Sequence, residues 1–204
     1  MPFVDSSRDI TLLAEAKSAV APSARAAAFA ELYQRHQGSL YRFVLLRSGS
    51  ADAAADIVQE IFLQLMTDRL KFDATRGGLQ GFLFGVARNF VLKRESRFQR
   101  FVAIDTANDD SEDVVLVDGA PQPIEKLLTD ERAERVRQAL VQLAPHYRDV
   151  LILYEMHDLS YVDIAQICDI DIGTVRSRLS RGRARMATLL TSINETFSPA
   201  LKRS

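Results

Sequence analysis

The fold can be read from Ser160-Tyr161-Val162-Asp163-Ile164-Ala165-Gln166-Ile167, Cys168-Asp169-Ile170-Asp171 and Ile172-Gly173-Thr174-Val175-Arg176-Ser177-Arg178-Leu179-Ser180-Arg181-Gly182-Arg183. Ser160, followed three residues later by Asp163, is a capping-box variant that starts a short helix. Its hydroxyl and the carboxylate each satisfy a backbone N–H that a first turn leaves without a partner. Residues 168–171 leave room only for a turn, and Asp171 can cap a last helix running to about Leu190. A short helix, a brief turn and a longer helix make a helix-turn-helix. In the longer helix Ile172, Val175, Leu179 and Met186 fall on one side and are expected in the core. Thr174, Arg176, Ser177, Ser180 and Arg181 project from the opposite arc.

That arc has the chemistry of a duplex reader. A helix fits the major groove, where arginine reaches guanine edges bidentately and Ser or Thr bonds several base groups. Arg178, Arg183 and Arg185 lie where neutralising phosphate is the more natural task. The overall composition points the other way, because 26 Lys+Arg against 27 Asp+Glu leave a formal charge of −1. The average conceals sorting. Residues 88–100 carry a local +4, residues 101–125 carry −7 with no Lys or Arg, and residues 170–190 carry +4. Two basic helical segments therefore flank an acidic one.

Upstream, Asn108-Asp109-Asp110-Ser111 and Asp118-Gly119-Ala120-Pro121-Gln122-Pro123 are turn residues and mark a linker. Extended, this linker reaches about 75 Å. It is interrupted by the apolar run 114–117, which could pair transiently as a strand or dock on a partner. The half before it is helical. Phe29, Leu32, Tyr33, His36, Leu40, Phe43 and Val44 recur on one helix face, and Ser48-Gly49-Ser50 ends that helix. A second helix, starting at Asp52 or a neighbour, carries the apolar stripe Ile57, Ile61, Phe62 and Leu65, with Asp56, Gln59, Glu60, Gln64 and Asp68 facing elsewhere. A third is expected to turn Leu79, Phe82, Leu83, Val86 and Phe90 inward, while Asn89, Lys93, Arg97 and Arg100 share another face. After the linker a helix runs from near Pro123 to Leu143, and another holds Val150, Leu151 and Leu153 and stops near His157.

The expected class is all-α, with two small helical domains joined by an acidic flexible linker, the C-terminal one a helix-turn-helix. The expected division is an N-terminal extension 1–25, a helical domain 26–100, the linker 101–124, the helix-turn-helix domain 125–192 and a tail 193–204. In the extension, Ile10, Leu12, Leu13 and Val20 can form a short helix packing on the first domain or on a regulator. A single Cys168 permits no internal disulfide, and His36, His146 and His157 have no metal-ligand spacing, so neither a metal nor a cofactor is expected. No apolar run approaches the ~20 residues that span a bilayer. Asp5 and Asp9 replace the basic start of a signal peptide, so the expectation is a cytoplasmic protein without membrane insertion. No Gly-rich phosphate loop or nucleophile–base set speaks for an enzyme.

Leu143-Ala144-Pro145-His146-Tyr147-Arg148-Asp149-Val150-Leu151, Leu159-Ser160-Tyr161-Val162-Asp163-Ile164-Ala165 and the run 173–183 together resemble the C-terminal domain of a bacterial RNA polymerase sigma factor. The group it resembles is the extracytoplasmic function (ECF) sigma factors, which keep two domains. In the first half, Asp56-Ile57-Val58-Gln59-Glu60-Ile61-Phe62 resembles the family's core-polymerase-binding helix. Gly81-Phe82-Leu83 and Ala87-Arg88-Asn89 resemble its promoter-melting and −10-recognition helix. The resemblance covers roughly residues 27–100 and 125–190. It implies core RNA polymerase, promoter DNA and an anti-sigma factor or other regulator as partners. Polymerase contact falls to Asp56, Gln59, Glu60 and Phe62, the last also readable as plain core. Contact with the single-stranded −10 element falls to Arg88, Asn89, Lys93, Arg94 and Arg97. Contact with the −35 duplex falls to Thr174, Arg176, Ser177, Arg178, Ser180 and Arg181. Phe82 stands where the family often has Trp, and as an inward residue it reads as core rather than as a stacking wedge. Ala53-Ala54-Ala55 depart from the acidic residue that commonly precedes Asp56. The family's connector threads toward the polymerase active site, where a −7 segment could mimic nucleic acid. A solvated tether is the alternative. A repressor explains only the C-terminal half, and a decoy that titrates anti-sigma factors needs no DNA-binding arginines.

Overall fold

Helix follows helix because apolar residues recur at helical spacing in both halves and no alternating run competes. The structure, a computed structural model, describes the backbone of residues 6–18, 20–105 and 131–197, and their side chains apart from 98–105, 131–132 and 194–197. The elements are α1 (Ser6–Ser18), α2 (Pro22–Ser48), α3 (Ala51–Met66), a 3₁₀ turn (Ala74–Arg76) and α4 (Leu79–Asp105). They continue with α5 (Glu131–Gln142), α6 (Pro145–Leu151), a π-helical turn (Ile152–Met156), α7 (Tyr161–Cys168) and α8 (Ile172–Phe197). No strand occurs among the described residues. Of the expected acidic linker, 101–124, residues 106–124 lie outside the described residues, as does the expected helix start near Pro123; its first five residues, 101–105, belong to α4.

The chain divides into two compact units, one of Met1–Val44 with Asp52–Asp118 and one of Leu45–Ala51 with Gly119–Ser204. In the first, Leu32, Leu40 and Phe43 of α2 are buried with Ile61 and Leu65 of α3 and with Leu79, Leu83, Phe84 and Ala87 of α4. Phe43 and Phe84 meet edge to face at 5.4 Å. The inward side of α4 is thus 79, 83, 84, 87 and 91, while Phe82, Val86 and Phe90 are only half-buried. The expected stripe was rotated by about one residue, since helical spacing allows either face until the neighbours choose one.

The N-terminal segment forms α1. Leu12 and Leu13 are buried, whereas Ile10 and Val20 are exposed. Polar anchors add to the packing: Arg8 pairs with Glu31 at 2.7 Å and Lys17 with Asp68 at 2.5 Å. The buried Asp9 carboxylate accepts from Arg35 Nε at 2.8 Å and lies 3.0 Å from His36 Nε2, the latter without hydrogen-bond geometry.

In the second unit, Val150, Ile152 and Leu153 are buried with Ile164 of α7 and Val175 and Leu179 of α8. The buried Arg148 donates from Nη2 to the carbonyls of Leu143 (2.8 Å) and Val141, at the end of α5, and from Nη1 to that of Arg47 (2.7 Å). Helix ends leave such carbonyls without intrahelical partners, and one planar guanidinium satisfies several. The adjacent Asp149 accepts from the buried Arg47 of the same unit. Gly182 lets α8 approach α6: a Cβ there would meet Leu151 Cδ1 at 3.1 Å.

Candidate nucleic-acid interface

The helix-turn-helix is built as its sequence signals. Asp163 N–H donates to Ser160 Oγ at 3.1 Å and Ser160 N–H to Asp163 Oδ2 at 3.3 Å, which completes the capping box of α7. Asp169, with φ 55°, closes that helix in the left-handed conformation, where Ile170 N–H reaches the Ala165 carbonyl at 3.0 Å. A short polar side chain tolerates this backbone better than a branched one. The last helix then runs to Phe197 rather than to about Leu190.

Val175 and Leu179 are buried as expected, whereas Met186 is half-buried and Ile172 is 40% exposed. Opposite the buried side, Ser177, Ser180 and Arg181 are exposed at the centre of the open arc. The Ser177 hydroxyl donates to the Thr174 carbonyl at 3.0 Å. Thr174 and Arg178 are half-buried, and Arg176 is exposed. By helical spacing Arg176 and Arg183 border the arc on one side, and Arg178 and Arg185 on the other. Among the described residues neither Arg178 nor Arg181 pairs with a carboxylate. Arg183 is engaged: its Nη2 lies 2.6 Å from Glu155 Oε1, and its Cζ sits 5.2 Å over the Tyr154 ring. Arg185 sits 4.7 Å over Tyr147 and Arg176 5.9 Å over Tyr161. The His146 imidazole is held below its ordinary pKa, first by desolvation and then by the neighbouring Arg178 and Arg185.

In the first unit α4 presents Asn89, Lys93, Arg94 and Arg97 as exposed side chains, with Arg88 half-buried. Arg94 Nη1 lies 3.7 Å from Asp56 Oδ2 of α3. Asp56 and Gln59 are exposed and Glu60 is half-buried, where it accepts from Gln64 at 2.6 Å. Phe62 is not presented. It is 2% exposed and stands edge-on to Tyr33 at 4.8 Å and to Phe29 at 6.2 Å, so its side chain is committed to packing. Of the three alanines before Asp56, Ala53 and Ala54 are buried and only Ala55 reaches the surface.

Comparison with known proteins joins these two sites. The family model "Sigma-70 region 2" matches residues 32–100, and "Sigma-70, region 4" matches residues 133–186. The ECF RNA polymerase sigma factor EcfG of Rhodopseudomonas palustris is 30% identical over 190 residues, which cover 93% of this chain and 88% of that protein. The chain belongs to the ECF sigma factors. SigW of Bacillus subtilis, of the same group, is 25% identical over 171 residues, covering 81% of this chain and 90% of its own. A solved complex of the sigma factor RpoE with the anti-sigma factor NepR from Bartonella quintana aligns with a TM-score of 0.64 at 27% identity, over 80% of this chain and 96% of that one. CnrH in complex with the cytosolic domain of CnrY shares the fold, with a TM-score of 0.63 at 22% identity, over 92% of this chain and 99% of that one. The role that follows for this ECF sigma factor is promoter-specific transcription initiation. Among the described residues no helix is long and apolar enough to cross a membrane.

Sequence reasoning missed three features of this sigma factor. Leu63 is 57% exposed on the α3 face that carries Asp56, Gln59 and Glu60. Its position beside three polar residues at helical spacing was the available signal. Phe82, read as core, is half-buried and meets the ring of Phe72 in the preceding loop at a tilt of 57°, with centroids 5.5 Å apart. The tyrosines under the α8 arginines come from separate elements, and no spacing rule brings them together.

Proposed function

We propose that this ECF sigma factor docks on core RNA polymerase through α3 and reads the promoter with two helices. Asp56, Gln59 and Glu60 form the polar part of the docking face and Leu63 its apolar centre. Lys93, Arg94 and Arg97, with Asn89 and Arg88, contact the −10 element as single strand and take part in melting, where a basic groove and an aromatic platform such as Phe72–Phe82 suit unpaired bases. Thr174, Arg176, Ser177, Arg178, Ser180 and Arg181 address the −35 element as duplex. The observation that carries this reading is the open arc of α8: exposed Ser177, Ser180 and Arg181 face away from the buried Val175 and Leu179, on a capped helix-turn-helix. The functional division is then 26–100 for polymerase and −10 binding, 125–192 for −35 binding and 101–124 as the connection, with 1–25 and 193–204 outside both. Such a factor acts in the cytoplasm, catalyses no step itself and is held in check by an anti-sigma factor. The solved sigma–anti-sigma complex of similar fold supports that last partner.

Fluorescence titration of core polymerase tests the docking face. Asp56→Arg and Gln59→Ala should each weaken binding at least several-fold with unchanged helical content. Undiminished binding in both variants contradicts the assignment of α3.

A further inference from the structure

We infer that Tyr161 is a positioning residue for −35 recognition: its ring holds the Arg176 guanidinium at the edge of the reading arc. The inference rests on the proposed DNA-reading role of α8 and adds a residue that touches no base in it. Arg176 Cζ stands 5.9 Å from the centre of the Tyr161 ring, within the range in which a cation is attracted to an aromatic face. Tyr161 is itself held. It is the first residue of α7, directly after the Ser160 cap, so its backbone is fixed by the capping box. Its ring leans on Tyr154 at 5.3 Å, and Tyr154 carries Arg183, whose guanidinium is pinned by Glu155 at 2.6 Å. A continuous line of contacts thus runs Arg176, Tyr161, Tyr154, Arg183, Glu155 across the π-helical turn, α7 and α8.

The consequence is a division of labour among arginines that the sequence lists as one basic run. Arg181 stands free at the centre of the arc, among the described residues, while Arg183 belongs to the brace. Arg176 is exposed yet steadied, so less rotamer freedom is lost when it meets DNA; pre-organisation of this kind raises affinity without a new contact. A free arginine would have to give up that freedom on binding.

The test uses the full chain and a labelled duplex carrying the upstream element of a promoter located by run-off transcription with core polymerase, against a scrambled duplex. Arg176→Gln should lower affinity for the element. Tyr161→Leu should lower it about two- to fivefold, the magnitude of an exposed cation–π contact. Tyr161→Phe, which keeps the ring, should restore it, and Tyr161→Leu should add nothing in the Arg176→Gln background. Discrimination between element and scrambled duplex should fall in step. Equal loss in Tyr161→Phe would assign the effect to the hydroxyl and overturn the proposal. An additive loss in the double variant, or a melting temperature that falls with affinity in Tyr161→Leu while Tyr161→Leu/Arg176→Gln falls further, would make the ring merely structural. If Arg176→Gln leaves affinity unchanged, the DNA-reading assignment of Arg176 itself fails.

Discussion

Phe62 and Leu63 are neighbours in sequence with opposite fates, and their contrast is a test at the scale of single residues. Phe62→Ala removes a ring enclosed by Phe29 and Tyr33 and should cost about 3–5 kcal/mol of stability, read by chemical denaturation. Leu63→Ser removes an exposed side chain and should leave the stability within about 0.5 kcal/mol of wild type while weakening polymerase binding. His36 supplies a pH test. Burial, the largest influence, holds its pKa below the ordinary 6.5, against the opposing pull of Asp9. The unfolded chain therefore takes up a proton near pH 6.5 that the folded chain refuses, and stability falls as pH drops from there toward the lower folded value. Thermal melts between pH 8 and 5 should show the wild type losing more on acidification than His36→Gln; parallel curves would remove His36 from the account. The helical stripes announced Leu32, Phe43 and Ile61. They could not separate Phe62 from a partner contact, because an apolar residue at the edge of a stripe serves either purpose until its neighbours are placed.

At the scale of elements, the helix-turn-helix was legible because local chemistry dictates it. A Ser-x-x-Asp cap, a turn too short for anything else and an apolar spacing of three and four residues leave little freedom. Less legible was what holds the elements together. Arg148 is buried and gathers carbonyls from the end of α5 and from Arg47, contacts that no helical spacing announces. Arg148→Ala should destabilise the second unit by about 3 kcal/mol, since several buried carbonyls lose their donor. Ser160→Ala, which removes only a cap, should cost about 1 kcal/mol. Differential melts that rank the two the other way would contradict this assignment. The rotated face of α4 has the same origin as the misplaced Ile172. Periodicity gives a helix its amphipathic character, but the packing partner selects which few residues of a broad stripe are covered.

For the molecule as a whole, near-neutral charge had obscured the organisation, and its distribution along the chain revealed it. Basic side chains concentrate on α4 and α8, one in each unit, and family matches to region 2 and region 4 fall on those same segments. The decisive claim is that these two faces work together as an initiation factor, which neither a repressor nor a decoy requires. Run-off transcription with purified core polymerase on genomic fragments measures this directly. Discrete transcripts from a subset of fragments, dependent on the added chain and lost with Arg97→Ala or Arg181→Ala, are the predicted result. Binding of duplex or polymerase without any chain-dependent transcript would contradict it.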